Sequence, residues 1–236
     1  KVSQDQTLSL KILRLVNSAH FGLSRKVASI EEAVVMLGMA RLKTMVIASG
    51  LVGSVKEIEG INLKTFWSEA FFVATAARFF AERTDRADPD MAFTAGLVHN
   101  IGRLLLHLAK PKLAQAIQIR IEETNCSRSD AEMERLGFVT PQAGQALLSM
   151  WSFPEELGEA VLQHKKPLDF EDTSPLAAVV NLACVVNAAR RAETELAELR
   201  DFFPLDVAEA AGLGSGILSE LSDALELESG LEGLAE

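Results

Sequence analysis

The stretch from Met91 to Lys110, MAFTAGLVHNIGRLLLHLAK, combines a long apolar pattern with two adjacent polar residues, His99 and Asn100. Apolar residues recur in it at intervals of three and four, the spacing of one face of an α-helix. Polar groups in such a helix are costly to bury unless each finds a hydrogen-bond partner. The stretch therefore predicts a buried helix whose histidine is either a satisfied core residue or the remnant of a functional site.

The same periodicity covers most of the chain and predicts an all-α fold. Alternating strand patterns are nearly absent, and glycine and proline fall between the periodic segments. Helix-start signals stand at Ser29 with Glu32, at Asp88-Pro89, at Thr140-Pro141 and at Ser174-Pro175. The predicted helices cover residues 6–19, 29–37, 40–56, 63–83, 89–109, 111–124, 128–136, 141–150, 154–164 and 174–191, followed by shorter acidic helices.

Composition limits the classes of protein to consider. The 236 residues are 48% hydrophobic, enough for a sizeable core. No apolar run reaches the roughly 18 to 20 residues that span a bilayer, and no signal peptide is recognisable. Cys126 and Cys184 are far apart and form no CxxC pair, so neither a disulfide framework nor a structural zinc site is expected. We expect a cytoplasmic protein.

The negative charge is concentrated in the C-terminal part of the chain. The net charge is −10, but residues 192–236 hold twelve acids and one base, whereas residues 1–191 hold 21 acids and 22 bases. This balance argues against nucleic-acid binding. We expect a helical domain over residues 1–191 and an acidic helical extension over 192–236. Because the sequence begins without methionine and close to a helix, we also expect the domain to be truncated at its N-terminus.

Several chemistries find no support in the sequence. There is no GxSxG nucleophile motif, no Walker motif and no GxGxxG, and neither cysteine lies near a histidine in sequence. The helix-turn-helix pattern over residues 29–49 has a second helix too apolar to read DNA bases. His99 and His107 are about 12 Å apart along a helix, too far to share one metal. His20 and His164 could approach His99 only through tertiary packing.

Five stretches, taken in order, resemble the bacterial HDOD family, the HD-related output domain. They are residues 8–22, 29–49, 66–81, 92–106 and 151–167. The most specific are LRLVNSAHFG at 13–22, EAVVMLGMARL at 32–42 and WSFPEELGEAVLQH at 151–164. The resemblance extends from about residue 5 to residue 187, and it implies a compact multi-helix bundle of the HD-domain type.

HD-superfamily phosphohydrolases bind metal ions through a set of histidines and aspartates, and the resemblance places their positions on this chain. The His-Asp doublet corresponds to His99 and Asn100, and the later double histidine corresponds to His164 and Lys165. The remaining positions correspond to Glu69, Gln142 and Cys184. Only two of the histidines are kept.

A two-metal hydrolase needs anionic ligands between its ions, which Asn100 and Gln142 cannot supply and which Lys165 would oppose. We therefore expect no catalytic residue, metal or cofactor, and a core role for His99 and Asn100, with His99 reaching Glu69 or His164.

The resemblance implies a non-catalytic signal-transduction output domain that contacts a protein partner or an attached receiver or cyclic-di-nucleotide module. Two alternatives stay open. One is a residual metal-dependent phosphohydrolase or phosphodiesterase that uses Glu69, His99 and His164. The other is a nucleotide or small-molecule sensor in which Arg103, Lys165 and Lys166 contact an anion.

Overall fold

The computed structural model describes residues 27, 29, 32, 33, 35 and 58–227. The predicted helices over 6–19 and 40–56, His20, and the sequence blocks at 13–22 and most of 32–42 lie outside the described residues. The chain forms two compact units, residues 1–57 with 229–236, and residues 58–228. In the first unit, Ser29 Oγ accepts a hydrogen bond from the Glu32 backbone N–H at 3.1 Å, which confirms the helix start predicted there.

The second unit is a helical bundle, as predicted. Within the described residues, this unit contains a single isolated β-bridge, between Ile58 and Ile61. None of its helices is long and apolar enough to cross a membrane. The α-helices are α1 Leu63–Ala81, α2 Pro89–Val98, α3 Ile101–Ala109, α4 Pro111–Thr124, α5 Arg128–Leu136, α6 Thr140–Met150, α7 Glu155–Gln163, α8 Pro175–Arg191, α9 Leu196–Phe202, α10 Leu205–Ala210 and α11 Leu221–Leu225.

The centre of this unit is made by α1, α2 and α8, each of which packs on the other two. Phe72 and Phe80 of α1 and Val180 and Leu182 of α8 are fully buried. Around this centre, α7 packs on α6 and α8, and α3 packs on α4 and α6. A smaller apolar cluster joins α3, α4 and α5 through Leu106, Ile117 and Ala131. The bundle therefore has one main core and a satellite core under α3 to α5.

Side-chain caps mark four of the eleven α-helix starts in residues 58–227. Asp88 accepts hydrogen bonds from the N–H groups of Asp90 and Met91, and Ser174 accepts one from Ala177, as their positions before proline predicted. The prediction at Thr140 was wrong. Residue 140 is the first residue of α6 rather than its cap, because its hydroxyl donates to the buried carboxylate of Glu132 instead of accepting from the helix.

The predicted helix over 89–109 is also wrong, because it is divided at His99 and Asn100. Asn100 has φ −102° and ψ 14°, which lies outside helical backbone geometry, and α3 starts at the next residue. The break allows α3 to lie against α6. A Cβ on Gly102 would be 2.7 Å from the Gly144 backbone nitrogen and closer still to Thr140 O, so the contact requires glycine. The break also places His99 at the C-terminal end of α2.

The acidic extension packs back on the bundle through its apolar side chains. Ile217 and Leu221 are buried, and the rings of Phe203 and Phe80 lie 6.2 Å apart. The hydroxyl of Thr84 donates to the Ala211 carbonyl at 2.9 Å. The extension up to residue 227 is therefore part of the same compact unit as α1 to α8.

Candidate functional site at the His99–His164 pair

The break after α2 and the end of α7 bring two buried imidazoles together. His99 and His164 each follow the last residue of a helix, and their rings meet edge to face with centroids 5.3 Å apart. Of the two partners considered for His99, the structure therefore supplies His164. Glu69 instead forms an ion pair with Arg191 at 3.1 Å.

The hydrogen bonds of the two rings fix their tautomers. His99 Nδ1 lies 2.6 Å from Gly96 O, and His164 Nδ1 lies 2.8 Å from Val161 O. A carbonyl oxygen can only accept, so each Nδ1 carries the proton and donates it. In a neutral ring Nε2 is then a bare acceptor. The pair consequently presents two lone pairs to its surroundings.

Burial keeps both rings neutral at physiological pH. It lowers the pKa of His99 to about 4, with a smaller contribution from the charge of Lys165. Burial chiefly, and then the neighbouring His99, lowers the pKa of His164 to about 3. The charged form of each ring would lose its hydration without gaining a carboxylate partner.

The other positions expected from the HD motif are already engaged or carry no charge. Gln142 Oε1 accepts from the Val139 backbone N–H at 2.9 Å, so it caps the start of α6. Asn100 makes no side-chain capping bond at the start of α3. Burial raises the pKa of the Cys184 thiol to about 12, which makes the thiolate that zinc requires unfavourable.

This set of donors does not fit a metal centre of the HD type. Within residues 58–227 and the few described residues before them, no three His, Cys, Asp or Glu side chains are grouped so as to hold an ion together. The charge of Lys165 acts on both His99 and His164. A divalent ion here would meet two neutral imidazoles and a neighbouring ammonium, and no bridging carboxylate to neutralise it.

Lys165 faces a buried carboxylate on α5. Glu132 is fully buried, and its oxygens accept from the Thr140 N–H at 2.8 Å and from the Thr140 hydroxyl at 2.9 Å. Lys165 Nζ lies 3.9 Å from Glu132 Oε2. Asn181 of α8 holds the backbone beside it by donating to the His164 and Lys165 carbonyls. The backbone of Lys165 is thus held by α8, and its ammonium faces Glu132 of α5.

Two arginines extend this charged cluster toward α3 and α5. Arg103 lies one helical turn before His107 on α3, and Arg128 is the first residue of α5. Burial chiefly, and then the charge of Arg103, lowers the pKa of Arg128. Lys166, by contrast, is exposed and lies 3.8 Å from Asp169. Of the three cations considered as anion contacts, Arg103 acts electrostatically on Lys165, whereas Lys166 pairs with Asp169.

Reasoning from the sequence missed Arg128, Glu132, Thr140 and Asn181 as members of this site. The segment RSDAEMERL reads as a charged, solvated helix face, and nothing in it marks Glu132 as the buried acid. One signal was present, since Arg128 and Glu132 are four residues apart and share a face of α5. Only the packing of α5 against its neighbours shows that this face is turned inward.

The all-helical fold and the His99–His164 junction define a domain of the HD type. The chain belongs to the HDOD domain family, whose sequence profile matches residues 1–167. A protein from Treponema pallidum (strain Nichols) is 29% identical over 190 residues, which are 77% of this chain and 36% of that protein. The chain thus spans about a third of the length of that relative.

Two solved structures illustrate the likeness of the fold. A protein from Shewanella amazonensis SB2B, described as a candidate phosphohydrolase, is 31% identical with a TM-score of 0.75, covering 97% of this chain and 83% of that one. The MmoQ response regulator from Methylococcus capsulatus str. Bath is 24% identical with a TM-score of 0.59, covering 93% and 86%. At 24% identity, the second likeness shows a shared fold.

Proposed function

We propose that this chain is a cytoplasmic bacterial signalling output domain that acts by contact with a partner protein or an attached signalling module and does not hydrolyse phosphoesters. The observation that carries the proposal is the state of the HD-motif positions. Two neutral histidines remain, Glu69 is paired with Arg191, Gln142 caps a helix, and Lys165 places an ammonium beside the pair.

The alternative of a residual hydrolase requires Glu69, His99 and His164 to share an ion. It would require Glu69 to leave Arg191 and the ion to lie near the charge of Lys165. Coulomb repulsion between an ammonium and a divalent ion is strong where water is largely excluded. These requirements favour a scaffold role for the histidines.

Metal content and turnover test the absence of catalysis. The purified chain is incubated with Mn²⁺ or Zn²⁺, freed of excess ion, and assayed for bound metal and for hydrolysis of bis(p-nitrophenyl) phosphate. We expect far less than one ion per chain, a melting temperature unchanged by chelator, and no metal-dependent turnover. Stoichiometric metal with turnover that His99→Gln abolishes and Lys166→Gln leaves intact would refute the proposal.

Partner binding tests the second half of the proposal. Proteins cross-linked to the chain in a bacterial host are purified, and the complex is reconstituted from the two pure components. We expect a reconstituted complex whose Kd is the same for the wild-type chain and for folded His99→Gln, because contact rather than chemistry transmits the signal. A complex that forms only with added metal, or that is lost in His99→Gln, would contradict this.

A further inference from the structure

Three basic side chains from three separate elements interact electrostatically near the histidine pair. Arg103 comes from α3, Arg128 from α5 and Lys165 from the segment after α7. Arg128 and Arg103 both act on Lys165, whose pKa is lowered first by burial and then by their charges. Both arginine charges also reach His107 on α3, which burial and these charges keep toward the neutral form by lowering its pKa. The cluster is therefore a local concentration of positive charge.

Among the described residues, this charge is compensated incompletely. Glu132 supplies one negative charge against three positive ones, and Thr140 already occupies both of its oxygens. Arg128 donates through Nη2 to Gln118, an uncharged acceptor. Lys165 Nζ is 3.9 Å from Glu132, the outer limit of an ion pair.

Arg103 carries the clearest sign of a missing partner. Its Nε is buried and finds no hydrogen-bond acceptor among the described residues. A buried donor without an acceptor costs free energy, and a guanidinium donor costs more than a neutral one. An acceptor that also brought negative charge would relieve both this cost and the mutual repulsion of the three cations.

We propose that Arg103, Arg128 and Lys165 form a binding site for a phosphate-type oxyanion, either free or carried by a small phosphorylated molecule. Guanidinium groups match the planar pairs of oxygens in such anions, and an ammonium adds a compact point charge. Lys166, which is the neighbouring cation in sequence, takes no part because it is exposed beside Asp169. This site goes beyond the proposed signalling function, since it assigns a ligand to the chain itself.

Calorimetric titration and thermal melting of the 236-residue chain with inorganic phosphate test the site, with chloride at equal ionic strength as the reference. We expect saturable phosphate binding and a rise in melting temperature that chloride does not reproduce. Arg103→Gln and Arg128→Gln should each raise the Kd about tenfold, the effect of losing one charge-assisted contact. Lys166→Gln is the matched control and should leave the Kd unchanged.

Adenosine monophosphate and adenosine separate the two sources of the anion. Equal affinity for phosphate and the nucleotide would support a site for free oxyanion, and tighter nucleotide binding that Arg103→Gln weakens would support a phosphorylated small molecule. Binding of adenosine as strong as that of its monophosphate, no phosphate-specific effect, or equal binding by wild type and both arginine variants would overturn the proposal. If Arg103→Gln does not fold, Arg128→Gln and Arg103→Lys decide the question. Because these measurements need no partner protein, their failure leaves the signalling proposal untouched.

Discussion

Acidification should destabilise this protein through His99 and His164. Each ring has an ordinary pKa of 6.5 when exposed, and folding lowers these values to about 4 and about 3. Between pH 6.5 and the folded pKa, the unfolded chain binds a proton on each ring that the folded chain does not bind. Stability is therefore complete above pH 6.5 and is lost as the pH falls.

The size of the loss follows from the distance below pH 6.5. At about pH 5 each histidine is some 1.5 units below its unfolded pKa, and one unit corresponds to about 1.4 kcal/mol, so each ring costs about 2 kcal/mol and the pair about 4 kcal/mol. Both side chains are almost completely buried, so solvent screening reduces this value little.

Urea unfolding at several values between about pH 8 and about pH 5 measures the effect. Carboxylates also titrate in this range, so the comparison is with His99→Gln/His164→Gln, which keeps the carboxylates. We expect the free energy of unfolding of the wild type to fall more steeply with acid, by about 4 kcal/mol in total at about pH 5. Parallel pH profiles of the two proteins, or a folded-state ring titrating near pH 6.5 by NMR, would refute the reasoning.

Three further substitutions probe the bundle by equilibrium unfolding. Gly102→Ala should lower the free energy of unfolding by about 3 kcal/mol or more, because its Cβ would overlap the α6 backbone. The control Gly158→Ala, whose Cβ would meet its nearest neighbour at 3.4 Å, should change stability by no more than about 1 kcal/mol. Similar losses for both variants would contradict the close approach of α3 and α6. Glu132→Gln should lower the free energy of unfolding by about 3 kcal/mol, because it leaves Lys165 without its counter-charge. Adding Lys165→Met should restore part of that loss. Purely additive effects of the two substitutions would show that the side chains are not coupled. Asn125→Gly should stabilise the protein by roughly 0.5–1 kcal/mol, since Asn125 ends α4 at φ 52°, where glycine is unstrained. A lower melting temperature of the variant would show that the asparagine side chain has a compensating role.

Features set by neighbours in sequence were predictable, and features set by packing were not. Asp88 and Ser174 cap their helices because each cap side chain and the backbone N–H groups that donate to it lie within three residues of each other. The apolar period continues unbroken across His99 and Asn100, so no local signal marks the end of α2 there. The break accompanies the close approach of Gly102 to α6, which exists only in the folded bundle.

The candidate site shows the same division. The resemblance to the HDOD family identified His99, His164 and Lys165, which the structure brings together. It could not identify Glu132, because an acid in a run of charged residues is usually solvated. Its burial arises from the tertiary position of α5, and its bonds to Thr140 join residues eight positions apart in two different helices.

The packing of α8 and the acidic extension limits where the chain can be cut. The family profile ends at residue 167, yet α8 lies beyond it and contributes Val180 and Leu182 to the main core. The ring of Phe203, further along still, lies beside Phe80 of α1. An expression fragment trimmed to the matched segment would present this apolar surface to water and would be prone to aggregation. Shortened versions for crystallisation or domain fusion should therefore keep the chain at least to Leu225, the end of α11.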